Sequence, residues 1–276
     1  MENLLELQSK AYKKDNFKIV LNDDCKECVA IYFTSNDLFY PHNSESFTYS
    51  VLQKDFYEWQ TCLLKRANKH VFLRDIYKQW YCKGINQNIN SIDSLFLWLK
   101  DQTKGYKEIV TIGSSAGGYM SALMGTMLGA NISLAFNAQF DLWSSIEKNG
   151  KIISPMLREL EKSGNTKYFS IYDKIKNNSN IFYFFSTGSS YDVAQYAFIK
   201  DLNSINILKF KTAHHGIPFL KSAVSDVINM DKCYLLRLSN KIYTPFKFSV
   251  EIIGLFPCFV GLFDQVWKKL KKRYKA

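Results

Sequence analysis

The chain has 276 residues, of which 47% are hydrophobic and 22% are charged. This length suits one large α/β domain, and this composition excludes an intrinsically disordered chain. The net charge is +11, but six cations and no acid lie in residues 266–276 (VWKKLKKRYKA), which leaves +5 for the rest. A charge concentrated in this way argues against a nucleic-acid-binding face, so no nucleic-acid partner is expected.

Short apolar runs alternate with helical patterns along most of the chain. The predicted strands cover residues 29–33 (VAIYF), 70–73 (HVFL), 108–112 (EIVTI), 132–136 (ISLAF), 181–185 (IFYFF) and 205–210 (INILKF). The predicted helices cover residues 91–102, 117–128, 193–202 and 217–230. Strands that are apolar throughout must be covered on both sides, and alternation with helices is typical of βαβ units. The sequence therefore predicts an α/β fold with a mostly parallel central sheet and helices on both faces.

Two segments depart from this alternation. Residues 143–178 are polar and irregular with helical patches, and we interpret them as a lid insertion over the candidate site. After Met230 the alternation stops, so the predicted division is a domain of residues 1–230 and an apolar and basic extension of residues 231–276.

A G-x-S-x-G pentapeptide, Gly113-Ser114-Ser115-Ala116-Gly117, lies between the strand EIVTI and the helix GYMSALMGTML. A motif of this kind holds its serine on a sharp strand-to-helix turn, where the hydroxyl projects from the end of the sheet. Glycines on either side leave room for the strand and the helix to approach each other. Ser115 is therefore the candidate nucleophile, whereas the absence of Gly-Lys-Ser/Thr excludes a phosphate-binding loop.

A serine hydroxyl needs an adjacent base, and the base in turn needs an acid that orients it. His214 and His215 follow the last predicted strand, and chain order favours this place for the base. We prefer His215, because the glycine after it gives the loop freedom, and His214 remains the alternative. Asp192 follows the strand IFYFF, just before a predicted helix, and is the candidate acid. Asp141, after the strand ISLAF, is its alternative.

An oxyanion hole needs two N–H donors. The backbone of Ala116, the residue after the nucleophile, is the expected first donor, because it opens a helix whose N-terminus carries partial positive charge. The second donor is expected in the loop after the first predicted strand, where Ser35 and Asn36 are the candidates.

The six cysteines are scattered, and residues 1–15 (MENLLELQSKAYKKD) lack the apolar core of a signal peptide. We therefore expect reduced thiols and a cytoplasmic protein. Cys25-x-x-Cys28 has the spacing of a zinc pair, but the sequence has no second pair to complete four ligands. No metal and no cofactor are expected.

The layout resembles the α/β-hydrolase superfamily from VAIYFTSND (residues 29–37) to HHGIPF (residues 214–219), on the strength of GSSAGG, the Asp192 loop and HHG. The phrases FTSNDLFYP, FLRDIYKQWY, GSSAGGYMSALMG and AFNAQFDL are also similar to uncharacterised proteins of this superfamily from bacterial capsule and surface-polysaccharide loci. The superfamily includes esterases, thioesterases, peptidases and acyltransferases, so the resemblance implies acyl chemistry without fixing the reaction.

The resemblance and the triad order together predict a carboxylesterase or an O-acyltransferase whose partner is a small-molecule or glycan acyl substrate. Tyr40, Trp80 and Tyr81 are candidates for stacking on sugar rings, with packing as their other role. The alternative is a catalytically inactive hydrolase fold that serves as a scaffold in a membrane-associated polysaccharide assembly.

Residues 252–263 (IIGLFPCFVGLF) are apolar but too few to span a bilayer, which takes about 20 residues. They are followed by a tryptophan and the basic stretch. This order suits a segment that lies in the interface of an anionic membrane, and it equally suits a helix packed on the protein body. The first interpretation makes residues 252–275 a contact with the inner membrane surface.

Overall fold

The structure is a computed structural model that describes residues 3–148, 151–152 and 154–273. Residues 274 and 275 of the predicted membrane contact and residues 149, 150 and 153 of the predicted lid therefore lie outside the described residues. The strands are β1 (Phe17–Leu21), β2 (Cys28–Phe33), β3 (Lys69–Leu73), β4 (Glu108–Ser114), β5 (Ile132–Phe136), β6 (Glu147–Lys148), β7 (Lys151–Ile152), β8 (Ile181–Ser186), β9 (Asn206–Phe210) and β10 (Lys241–Tyr243). The helices are α1 (Leu4–Tyr12), α2 (Ser44–Phe47), α3 (Ile92–Gln102), α4 (Ala116–Leu128), α5 (Pro155–Lys162), α6 (Tyr172–Ile175), α7 (Ser190–Ala197), α8 (Val224–Ile228), α9 (Lys232–Leu238), α10 (Pro245–Ile253) and α11 (Leu255–Arg273).

Eight strands form the central sheet in the order β1-β3-β2-β4-β5-β8-β9-β10, and every pairing except the antiparallel pair β1–β3 is parallel. The predicted mostly parallel sheet is confirmed. The two edge strands, β1 and β10, were not predicted. β1 is only partly buried and β10 has three residues, so neither shows the continuous apolar run that marks the central strands.

The side chains of the central strands divide between two cores, one on each face of the sheet. Alternate strand residues such as Ile31, Val71 and Tyr183 pack with α3 and α4, and the intervening residues such as Tyr32 and Phe182 pack on the opposite face. The second core is closed by Val224, Val227 and Ile228 of α8, Leu235 and Leu238 of α9, and Phe248 of α10. Both faces of the sheet are therefore covered by helices, as the apolar strands require.

The predicted boundary at residue 230 does not coincide with a break in the sheet or the core. β10 adds to the sheet beside β9, with Tyr243 opposite Phe210, and α9 and α10 contribute to the second core. The chain from 231 to 253 is thus part of the α/β body.

The predicted lid is anchored to the body over most of its length. Leu157 and Leu160 of α5, with Phe169, belong to the core on the α4 face, and the Tyr119 hydroxyl donates to the carbonyl of Tyr168 at 2.7 Å. The short hairpin of β6 and β7 precedes α5. A role of residues 143–178 as a lid stays a prediction.

A buried carboxylate organises the loop after β3. Asp75 accepts hydrogen bonds from the backbone N–H groups of Tyr77, Gln79 and Tyr81 at 2.6–3.0 Å. Trp80 and Tyr81 both have positive φ angles, so the carboxylate stabilises a backbone that side chains of this size rarely adopt. Burial nevertheless raises the pKa of Asp75 to about 6.

This raised pKa predicts a specific pH dependence of stability. The folded protein binds the Asp75 proton more tightly than the unfolded chain, so the contribution of Asp75 to the free energy of unfolding falls by up to about 3 kcal/mol as the pH rises from about 4 to about 6. Asp75→Asn removes this titration, and urea titrations across that window are expected to give a flatter curve than the wild type. Parallel curves for the two proteins would contradict this assignment.

Candidate active site

Ser115 sits at a sharp turn between β4 and α4. Its φ and ψ angles are 54° and −120°, a strained conformation for a residue with a side chain. Its N–H donates to the carbonyl of Phe136 at 2.8 Å, which ties the turn to the end of β5. The serine is thus fixed at the end of the sheet from which the strands' C-terminal loops project.

Two glycines permit the turn. A Cβ atom on Gly113 would lie 2.0 Å from the carbonyl oxygen of Gly117, and a Cβ atom on Gly117 would lie 2.2 Å from the carbonyl oxygen of Phe33. Both contacts are with backbone, which cannot move aside as a flexible side chain does. The start of α4 therefore lies against β4 and against the end of β2 at a distance only glycine allows.

Ser115, His215 and Asp192 are joined by hydrogen bonds. The Nε2 atom of His215 lies 2.9 Å from the Ser115 Oγ, and its Nδ1 atom lies 2.7 Å from the Asp192 Oδ1. The Asp192 side chain is fully buried, whereas the imidazole is 37% exposed. A buried carboxylate at Nδ1 fixes the ring so that Nε2 faces the hydroxyl.

Asp192 occupies a different place from the one predicted. The helix α7 begins at Ser190, so Asp192 lies in its first turn, and Ser189 is the N-cap that accepts the Asp192 N–H. The prediction that Asp192 precedes a helix over 193–202 is therefore wrong by three residues at the start and five at the end. A carboxylate is still favourable there, because the first turn of a helix carries partial positive charge.

The loop that carries His215 is held by two buried side chains. The Asn137 Nδ2 donates to the carbonyl of Gly216 at 2.8 Å and to that of His214 at 3.3 Å, and the Ser186 Oγ donates to the His214 carbonyl at 2.7 Å. Asn137 and Ser186 also bond each other, so the ends of β5 and β8 fix the imidazole as one unit.

The two alternatives do not take part in this chain of hydrogen bonds. The backbone carbonyl of His214 accepts hydrogen bonds from Asn137 and Ser186. The imidazole that bonds the Ser115 hydroxyl is that of His215. Asp141 accepts from the Ser144 N–H at 3.0 Å, and burial raises its pKa. Among the described residues no hydrogen bond joins Asp141 to His215.

Of the predicted oxyanion donors, only Ala116 begins a helix. Its N–H is the first of α4, so it has no partner within the helix. The Ser35 N–H, in contrast, donates to the Glu58 carboxylate at 2.9 Å, and the Ser35 Oγ does so at 2.6 Å. Ser35 is therefore not a free donor in this arrangement, and Asn36 stays a prediction.

Glu58 was missed because residues 55–68 carry no recognisable pattern. Burial raises its pKa, against the effect of the Ser35 hydrogen bonds and the charge of Lys221. Next to it, Trp59 donates from its indole N–H to the carbonyl of Phe33 at 3.3 Å. This segment covers the end of β2 on the side where the second oxyanion donor is expected.

Gln139 is a further polar group at Ser115 that the sequence analysis did not single out. Its Nε2 lies 3.4 Å from the Ser115 Oγ, and its Oε1 accepts from the indole N–H of Trp80 at 2.9 Å. The Trp80 bond sets the orientation of the amide, so that its Nε2 atom faces the serine, and the same nitrogen donates to the Asn137 carbonyl at 3.3 Å. Gln139 is the third residue after the end of β5, in the same loop as Asn137. This place in the loop after a central strand is the sequence signal for it.

The aromatic candidates for sugar stacking differ in exposure. Tyr81 is fully buried and donates from its hydroxyl to the carbonyl of Thr34, and Trp80 is buried with its indole N–H bonded to Gln139. Tyr40 is exposed. Trp80 and Tyr81 therefore act in packing, and only Tyr40 presents a ring to solvent.

The two cysteines that have the spacing of a zinc pair lie in different environments, with Cys25 exposed and Cys28 buried at the start of β2. In the part of the chain that the structure describes, no group of three or more histidine, cysteine, aspartate or glutamate side chains is arranged to hold a metal ion.

The strand order, the serine turn after β4 and the chain order Ser115, Asp192, His215 decide the fold. The chain has the α/β-hydrolase fold. The predicted resemblance to this superfamily is confirmed at the level of architecture, with the antiparallel strand β1 at one edge and the serine turn in the middle of the sheet.

Solved structures with a similar arrangement include enzymes of this fold. The capsule O-acetyltransferase of Neisseria meningitidis serogroup A is 15% identical, with a TM-score of 0.48, over 71% of this chain and 82% of that one. The S-formylglutathione hydrolase of Staphylococcus aureus is 9% identical, with a TM-score of 0.47, over 80% and 92%. An esterase of Pyrobaculum calidifontis is 12% identical, with a TM-score of 0.45, over 80% of both chains.

No family model matches the sequence, and no curated protein matches it. At these levels of similarity the fold assignment rests on the strand order and the serine turn of this chain itself.

The close contact at Gly117 predicts an unequal response to two glycine substitutions. Gly117→Ala places a Cβ atom against the Phe33 carbonyl and is expected to lower the melting temperature strongly or prevent folding. Gly129→Ala is the matched control: Gly129 ends the same helix in open space, so alanine there meets only the left-handed backbone strain of about 1 kcal/mol. Equal melting temperatures for the two variants would contradict the contact.

Proposed function

We propose that this protein is a serine-dependent acyl-transfer enzyme, a carboxylesterase or an O-acyltransferase. The observation that carries the proposal is the continuous line of hydrogen bonds from the Ser115 hydroxyl through His215 to the buried Asp192. A serine on a strained turn, an imidazole at its hydroxyl and a carboxylate behind the imidazole are the three groups that nucleophilic acyl transfer requires.

In the first half of the proposed reaction, the Ser115 Oγ attacks the carbonyl carbon of the acyl donor while the His215 Nε2 accepts the hydroxyl proton. Asp192 stabilises the imidazolium through Nδ1. The C–O bond to the leaving group then breaks, the imidazolium returns the proton to the leaving oxygen, and the acyl group stays on Ser115.

The negative oxygen that forms during each step needs donors fixed beforehand. The Ala116 N–H at the start of α4 supplies the first, because its direction and partial positive charge are set by the helix. The Gln139 amide, 3.4 Å from the Ser115 Oγ, and the Asn36 N–H are the candidates for the second. Removing one such donor typically lowers kcat by about 100- to 1,000-fold.

In the second half, His215 deprotonates the acyl acceptor, whose oxygen attacks the acyl carbon. The bond from that carbon to the Ser115 Oγ then breaks, and the imidazolium returns the proton to Ser115. Water as acceptor gives an esterase, and a sugar hydroxyl gives an O-acyltransferase. The chemistry at Ser115 is the same in both, so the two activities differ in which acceptor the surrounding loops admit.

The proposed substrate class is a bacterial surface glycan or its precursor. Its support is the resemblance of four sequence phrases to proteins of capsule and surface-polysaccharide loci. The phrases coincide with the surroundings of the site: FTSNDLFYP holds Ser35, FLRDIYKQWY holds Trp80, GSSAGGYMSALMG holds Ser115 and AFNAQFDL holds Gln139. Three of the four phrases lie mainly in loops at the end of the sheet that carries the nucleophile, where a resemblance concerns substrate more than folding.

The proposal is tested by labelling with a fluorophosphonate probe, which reacts with an activated serine. The wild-type protein is expected to be labelled, and Ser115→Ala is expected to lose the label completely. His215→Ala is expected to slow labelling by about 1,000-fold or more, because triad members act as a unit.

His214→Ala is the matched control for His215→Ala. The imidazole bonded to the Ser115 hydroxyl is that of His215, so labelling of His214→Ala close to the wild-type rate is expected. An unlabelled wild-type protein that is folded would favour the inactive scaffold, and a label that persists in Ser115→Ala would place the nucleophile elsewhere.

A further inference from the structure

The helix α11 carries an exposed row of large apolar side chains on the face opposite to its contact with the body. We call this row the apolar ridge, which consists of Leu255, Phe256, Phe259, Val260, Phe263 and Trp267. Their spacing of three and four residues places them on one side of the helix. Phe256 is 78% exposed and Phe263 is 73% exposed, so these rings are not part of the protein core.

The other side of the same helix is packed on the body. The Cys258 side chain is fully buried, and a Cβ atom on Gly261 would lie 2.6 Å from the Cβ atom of Ser222. α11 is thus docked in a definite orientation on the turn 221–223, with the apolar ridge directed away from it. Packing on the body and an exposed apolar face therefore occur on the same helix.

The ridge continues onto α10. The rings of Phe246 and Phe259 lie 5.9 Å apart in an edge-to-face arrangement, and Phe246 is itself exposed. The apolar surface therefore spans two helices. A contiguous exposed apolar surface of this kind marks a site of interaction in a folded protein.

The sequence that follows the ridge indicates its partner. Lys268, Lys269, Lys271, Lys272 and Arg273 come directly after Trp267 in the last turns of α11, and residues 265–276 contain no acid. Aromatic and aliphatic side chains next to a tryptophan and a cluster of cations suit the boundary between headgroups and acyl chains of an anionic bilayer.

A second copy of the chain fits the same surface less well, because residues 265–276 contain no acid that could meet the cations, whereas an anionic membrane surface supplies the opposite charge. A transmembrane arrangement is not indicated either: within the described residues, no helix combines the length and the hydropathy that crossing a bilayer requires. We propose that the apolar ridge and the cations after it dock this protein on the surface of an anionic membrane, with α11 lying in the plane of the interface.

The test is co-sedimentation with vesicles of phosphatidylcholine containing phosphatidylglycerol, compared with vesicles of phosphatidylcholine alone. The wild-type protein is expected to sediment with the anionic vesicles and to be released by salt. The double substitution Phe256→Asp and Phe263→Asp is expected to weaken binding at least tenfold. Replacing Lys268, Lys269, Lys271 and Lys272 by glutamine is expected to weaken it by about fivefold for each lysine near the surface.

The matched control is the double substitution Leu5→Asp and Leu97→Asp, which adds the same charge at two exposed helical leucines outside the ridge. It is expected to sediment like the wild type, and circular dichroism checks that all variants fold. Equal binding of the wild type and the ridge variant would overturn the proposal. So would a wild-type dimer in light scattering that the ridge substitutions disperse, with no binding to vesicles. Neither readout depends on the chemistry at Ser115, so this proposal and the proposed function can fail separately.

Discussion

The close approach of α4 to the ends of β2 and β4 is the constraint on which the site depends. It leaves no room for a Cβ atom at Gly113 or Gly117, and it places Ser115 on a turn with a positive φ angle. The same geometry points the N-terminus of the buried helix α4 at the space in front of the Ser115 hydroxyl. One packing contact therefore supplies both the exposed nucleophile and the first oxyanion donor, before any other residue takes part.

The rest of the site depends on polar side chains that join neighbouring strand ends. Asn137 after β5 and Ser186 at the end of β8 hold the backbone on both sides of His215. Asp192 is buried in the first turn of α7, which follows the same strand β8. The imidazole is thus oriented by parts of the chain that parallel pairing brings to one edge of the sheet, although Ser115 lies 100 residues away in sequence.

The order of apolar runs was enough to predict the sheet, because parallel strands buried on both faces leave a continuous signal. The edge strands β1 and β10 lack that signal and were missed. Ser115 was found from a local motif. The helix at Asp192 was misplaced because the serine cap at Ser189 looks like any polar loop residue.

Contacts between distant segments were the part that the sequence did not reveal. The Glu58 carboxylate accepts a hydrogen bond from the Ser35 N–H, 23 residues away in sequence. Trp80 donates to Gln139, 59 residues away, and neither separation follows a spacing rule. The expectation for Ser35 was reasonable for a loop after that strand. The Ser35 N–H is not free to bind an oxyanion because it donates to the Glu58 carboxylate. This contact is visible only in the folded structure.

The central claim is that Ser115 itself carries the acyl group during turnover. The most direct measurement is mass spectrometry of the protein quenched during reaction with an activated acetate ester, followed by digestion and sequencing of the modified peptide. The account predicts one acetyl group on the Ser115 hydroxyl, formed and lost on the timescale of turnover. Turnover with no acyl-enzyme, or an acetyl group that accumulates on a different residue, would contradict it.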